Sequence, residues 1–141
     1  MIDTEKARNI FARDRYAKLA GIEIVEAGSG FCKARMKIDD RHLNVANVVQ
    51  GGAIFTLADL AFAVASNSHG HIALAINVHI SYLQAVSSGT LYAVASEVGT
   101  PKKLGVYDVV VSDDQDRVIA TFNGMVYRKD QKLADILPSL E

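Results

Sequence analysis

The sequence predicts an α+β domain, an antiparallel sheet of about six strands wrapping a single apolar helix, with a further helix at the N-terminus. Three observations carry this. The run AIFTLADLAFAVAS is apolar on every side, so it must be buried on every side. The segments around it alternate apolar and polar residues, as strands with one buried and one wet face do. No helical pattern returns between the last four strands, which makes the sheet antiparallel.

The elements follow in order. Residues 3–19 read as one helix, with Ala7, Ile10, Phe11 and Leu19 near helical spacing and Asp3 or Thr4 as its cap. Residues 22–27 and 31–38 read as strands joined at Gly28-Ser29-Gly30. In the second, Cys32, Ala34, Met36 and Ile38 share one face, and Lys33, Arg35 and Lys37 the other. Residues 39–50 form a polar loop that turns apolar before Gly51-Gly52 and the central helix. In 72–82, Ile72, Leu74, Ile76, Val78, Ile80 and Tyr82 share one face. Ala73, Ala75, Asn77, His79 and Ser81 share the other. Strands at 90–98, 104–112 and 117–127 complete the sheet, with turns at Ser87-Ser88-Gly89, Gly99-Thr100-Pro101 and 113–116.

The 141 residues suit one domain spanning 1–141. Half are hydrophobic and 22% charged, which excludes a disordered chain. With 15 Lys+Arg against 16 Asp+Glu there is no basic surplus for nucleic acid. The single Cys32 can form no intrachain disulfide and lacks the companions of a zinc site. No run of uncharged apolar residues is long enough to span a membrane as a helix, and the charged, amphipathic start points to a cytoplasmic protein.

Two features carry chemistry. Asp59 is a carboxylate among Phe55, Leu57, Ala58, Leu60, Phe62 and Ala63. Burying an unpaired carboxylate costs several kcal/mol. Asp59 is therefore either hydrogen-bonded for packing or kept for a task, and burial would tune it towards a base or nucleophile near neutral pH. Gly51-Gly52 opens the same helix. It is either a tight turn or a place where a ligand approaches first-turn N–H groups that can hold an oxyanion. Eight residues separate Gly51 from Asp59, roughly 12 Å at 1.5 Å per residue. One straight helix cannot bring both to one reacting group, so a joint role requires a second copy and predicts an obligate homodimer.

HLNVANVVQGGAIFTLADLAFAVASNS, with the later SYLQAVSSGTLYAVA and GVYDVVV, resembles the hotdog-fold acyl-CoA thioesterases of the phenylacetate-degradation type over about residues 15–128. The resemblance implies a long helix wrapped by a curved antiparallel sheet, pairing into homodimers and often homotetramers. It implies hydrolysis of a small acyl- or aryl-acyl-CoA thioester, with no metal or redox cofactor. Asp59 stands at the catalytic acid, Gly51 and Gly52 at the glycines whose amides polarise the carbonyl, and Asn44 at an Asn that orders the site. Gln50 stands where the family usually has His. A Gln amide can donate a hydrogen bond but takes no proton near pH 7. A non-catalytic acyl-CoA-binding protein is therefore the alternative. A hydratase of this fold would have a His about five residues after the Asp, where this chain has Val64.

Smaller features remain. His69-Gly70-His71 reads as a solvated turn, and His79 as a strand-pairing or subunit-contact residue. Lys102 and Lys103 read as a solvated turn or, by the resemblance, as partners of CoA phosphates.

Overall fold

The computed structural model describes residues 2–99 and 102–137, so part of the turn at Thr100-Pro101 lies outside it. The element order is α1 (Thr4–Phe11), α2 (Arg15–Ala20), β1 (Ile22–Gly28), β2 (Phe31–Lys37), a 3-10 turn at Asp40–His42, α3 (Gly51–Asn67), β3 (His71–Tyr82), β4 (Thr90–Val98), β5 (Leu104–Ser112), β6 (Val118–Lys132) and α4 (Leu133–Ile136). The strands form one sheet in the order β1-β2-β4-β5-β6-β3, antiparallel at every pairing. The expected fold class holds.

The N-terminal segment differs from expectation. It is two helices, because Asp14 acts as a cap rather than a helix-interior residue. Its carboxylate accepts the Ala17 N–H at 3.0 Å and starts α2. The chain turns a corner there, and Leu19 swings out to 69% exposure instead of joining the core.

In β3 the two expected faces exchange half-way. The ladder pairs Ala75 with Val126 but Asn77 with Met125, so Ile76 is the extra residue of a β-bulge. Ala73 faces the core before the bulge, and Val78 and Ile80 face it after. Leu74 and Ile76 are left on the exposed side. β6 continues to Lys132, beyond the expected strand end, because β3 supplies pairing partners as far as His71↔Lys132.

α3 lies in the curve of this sheet. Ile54, Leu57, Ala58, Ala61, Val64 and Ala65 face inward and are buried. The Phe62 ring packs against Phe122 and Tyr107, with centroids 5.4 and 5.8 Å away. Gly124 on β6 makes this possible, since a Cβ there would sit 2.6 Å from the Phe62 ring. Cys32 is buried in the same core, and burial pushes its thiol up to about 12, which leaves it inert.

Candidate active site

α3 starts at Gly51, and Gln50 is its N-cap in an extended conformation. The Gln50 carbonyl accepts from the Ala53 and Ile54 N–H groups at 2.9 and 3.3 Å. The Gly51 and Gly52 amides have no acceptor among the described residues, so the helix opens with free donors. Two side chains crowd the glycines. A Cβ on Gly51 would lie 3.1 Å from the Tyr82 ring, which would have to give by a few tenths of an ångström, and one on Gly52 would lie 2.8 Å from Gln50 Oε1, the far end of a flexible side chain. The Tyr82 hydroxyl donates to the Gly51 carbonyl at 3.0 Å, pinning the turn to the end of β3.

Asn44 orders the loop that leads in. Its Oδ1 accepts from the Ala46 and Val48 N–H groups at 2.9 and 3.3 Å, and Leu43 pairs with Val49 across the turn. His42 holds the loop from the other side. Its Nδ1 accepts from the Asp39 N–H at 3.0 Å, which makes Nε2 the donor to the Ala20 carbonyl at 2.7 Å. The Gln50 N–H donates to the His42 carbonyl at 2.8 Å. Gln50 thus has a fixed backbone and a side chain that makes no cap bond.

Asp59 lies seven residues beyond Gly52. Gly52, Thr56, Asp59 and Ala63 follow the i, i+4, i+7 spacing of one helix face, and this is the face the sheet leaves uncovered. Asp59 is half-buried. Burial raises its carboxyl above the ordinary value, and the Asp14 carboxylate adds to the shift. No hydrogen bond lowers it. An unpaired, raised carboxyl can accept a proton from water or attack a carbonyl carbon. Because α3 runs unbroken from Gly51 to Asn67, the glycine amides and Asp59 stay about 12 Å apart along the axis. They belong to one surface but do not meet within one chain.

The lysine pair stands elsewhere. Lys103 pairs with Asp130 and Lys102 is exposed, and both line a small hollow with His71, Arg128 and Lys129 beyond the C-terminal end of α3. No group of three or more metal-ligating side chains occurs among the described residues, and no described helix is long and apolar enough to cross a membrane.

His69 lies in the expected turn, but its ring is engaged rather than solvated. Its Nε2 meets Glu97 Oε2 at 2.7 Å, and the same oxygen accepts from Arg128 at 3.3 Å and from the Tyr107 hydroxyl. Arg128 also donates to the Tyr107 oxygen and the Lys102 carbonyl, each at 2.6 Å. Residues on four separate elements meet here, which no local pattern in the sequence announces. Asp14, His42 and Tyr82 also escaped the sequence reading. Asp14 alone had a local signal, as a capping residue inside a run read as one helix.

With this geometry in place, comparison with known proteins adds a family. Residues 46–120 match the thioesterase superfamily model. The chain belongs to the thioesterase superfamily. A relative from Archaeoglobus fulgidus, provisionally named an esterase, is 43% identical over 123 residues, covering 86% of this chain and 80% of its own. The acyl-coenzyme A thioesterase PaaI of Escherichia coli is 35% identical over 125 residues, covering 88% and 89%. The solved structure of the E. coli PaaI protein matches with a TM-score of 0.86 at 33% identity, over 91% of this chain and 94% of that one. The expected hotdog-fold thioesterase of the phenylacetate-degradation type is therefore upheld. The thioesterase superfamily match begins just before Gln50 and spans the whole of α3, so it contains the free amides and Asp59 alike.

Proposed function

We propose that this chain hydrolyses a small acyl- or aryl-acyl-CoA thioester to the free acid and CoA, as a cytoplasmic homodimer with each active site shared between two copies. The observation that carries the reading is Asp59, a carboxyl raised by burial, without a hydrogen-bond partner among the described residues, on the uncovered face of an otherwise apolar helix. A helix apolar all round with one face open needs a cover, and a second copy related by a two-fold axis supplies it. That arrangement would set the Gly51 and Gly52 amides of one copy against Asp59 of the other.

In this site the carbonyl oxygen of the thioester lies against the glycine amides, which stabilise the negative charge formed on attack. Asp59 takes a proton from water, whose oxygen adds to the carbonyl carbon. Alternatively, its carboxylate adds directly and gives a mixed anhydride that water then opens. The C–S bond breaks, and the sulfur leaves as CoA thiolate and takes up a proton. Gln50 donates a hydrogen bond to the thioester, and Asn44 holds the loop that aims it. Lys102 and Lys103, with Lys129 beside them, would meet the CoA phosphates. No cofactor enters.

Free-thiol release across a panel of aliphatic and aryl CoA esters tests the reading. Turnover of any member supports it. Tight binding with no turnover by the wild type would favour the non-catalytic alternative, which the Gln50 amide in place of an imidazole motivates.

Shared sites are tested by co-refolding Gly51→Pro with Asp59→Asn. Gln50 already has the extended backbone a residue before proline needs, and Tyr82 must yield only a few tenths of an ångström. Each mutant alone has two damaged sites, whereas half of the refolded dimers keep one intact site. Activity should return to about a quarter of wild type. A remixed sample that contains mixed dimers yet stays inactive refutes the shared site.

A further inference from the structure

α2 is built inside out. Of its six residues only Ala17 is buried, while Tyr16 and Leu19 are 68% and 69% exposed. Single exposed apolar residues are ordinary and need no explanation. These two, however, line a cleft of about 370 Å³ together with the start of α3, where Gln50, Gly52 and Thr56 contribute. The Thr56 hydroxyl is turned back to the Gly52 carbonyl at 2.8 Å, so it offers no free donor to a ligand. The cation at the rim is partly engaged. Arg41 pairs with Asp39 at 3.1 Å and donates to the Leu19 carbonyl at 2.7 Å. What remains is an apolar wall facing a free backbone amide and the Gln50 side chain. The volume lies near the low end of the roughly 300–1,000 Å³ usual for ligand sites. Such a cleft suits a compact apolar group bearing one carbonyl, and it suits a nucleotide poorly.

We propose that Tyr16 and Leu19 of α2 form the wall that receives the acyl group, and that they select a bulky apolar acyl, above all an aryl-acyl, over a short one. The inference rests on the thioester reading at one point only, the Gly52 amide as the carbonyl's partner. Both side chains stand clear of the core, so exchanging them alters the cleft while the fold persists.

The chain contains no Trp. Tyr16→Trp therefore places a single tryptophan on the wall, excited selectively over the remaining tyrosines. On an Asp59→Asn background it is titrated with phenylacetyl-CoA and, separately, with CoA, and calorimetry records binding in parallel. A saturable blue shift with phenylacetyl-CoA, absent with CoA, is expected. The same shift with CoA, no shift at concentrations calorimetry shows to be saturating, or no binding at all would overturn the proposal.

In an otherwise wild-type chain, Leu19→Trp fills the cleft. The ratio of kcat/KM for phenylacetyl-CoA to that for acetyl-CoA should fall at least about tenfold. An unchanged ratio would sink the proposal. So would a Leu19→Asp variant that changes the mass of the assembly and leaves the ratio alone, since the wall would then serve a second copy. Failure of the thioesterase reading looks different. The wild type would release no thiol from any ester, while the fluorescence shift with phenylacetyl-CoA persists.

Discussion

The two ends of α3 handle polar groups in opposite ways. At the C-terminal end the buried polar side chains of the described residues are answered, the Arg128 Nε excepted. The Ser68 hydroxyl accepts from the Gly30 N–H at 2.8 Å and donates to the Ala65 carbonyl at 2.7 Å. Asn67 accepts from the Ala73 N–H at 3.0 Å and donates to the Ala63 carbonyl at 2.8 Å. Beyond them, Glu97 collects His69, Tyr107 and Arg128. At the N-terminal end the Gly51 and Gly52 amides have no acceptor among the described residues, the Gln50 side chain makes no cap bond, and Asp59 further along has no donor. Groups satisfied inside the chain hold structure. Groups left open cost stability and are free to meet a ligand. Under the proposed function the contrast separates the two carboxylates, Glu97 as architecture and Asp59 as chemistry.

The largest test of the contrast is Asp59→Asn. Turnover should fall at least about 10²-fold while the protein stays folded and paired, because Asn is neither base nor nucleophile. Steady-state kinetics alongside circular dichroism decides it, and full activity in the variant would move the chemistry elsewhere.

Glu97→Ala should do the reverse. It leaves Arg128, which is 7% exposed, without its counter-charge though still bonded to Tyr107 and Lys102, and should cost about 3 kcal/mol, the low end for breaking a buried ion pair because the network still touches solvent. Thermal unfolding should register the loss, with kcat per folded molecule unchanged. A stable but inactive variant would reverse the assignment.

The same two residues should titrate stability in opposite senses. Burial works to raise the Glu97 carboxyl, but bonds from Tyr107 and His69 and the charges of His69 and Arg128 together hold it below its ordinary 4.5. Its contribution is present above that value and is lost as pH falls through the lower folded value. Asp59 is raised above its ordinary 3.8, so its cost sets in as pH rises through 3.8 and is complete above the folded value. Asp59→Asn should therefore raise the unfolding midpoint at pH 7, and Glu97→Gln should lower it. Both differences should shrink towards pH 3. A shift of the same sign in both variants at pH 7 would refute the contrast.

Gln50→His should change least. Both side chains donate a hydrogen bond, and the Gln50 backbone is already held by His42. Turnover should hold or rise, and a loss beyond about tenfold would show that the Gln amide has a geometric role of its own.

Local pattern made much of this legible. Alternation in 31–38 matched β2 because one face of that strand is buried and the other wet. Asp59 and the glycine pair stood out because a carboxylate and two flexible residues break an otherwise uniform apolar run. Where pattern misled, a single local event had reset it. Asp14 capped a new helix and sent Tyr16 and Leu19 to the surface, and the bulge at Ile76 exchanged the faces of β3.

By itself, then, the sequence determined the class of fold, the buried helix and the two features at which chemistry could occur, since hydrophobic periodicity and helix rise are properties of neighbours along the chain. Only the tertiary structure decided which polar groups find partners. His69, Glu97, Tyr107 and Arg128 come from separate elements and meet only when the sheet closes over the end of α3, and Asp14 reaches Asp59 only because the chain turns between α1 and α2. Whether a buried carboxylate is held or left open depends on donors distant in sequence, and no window along the chain contains them.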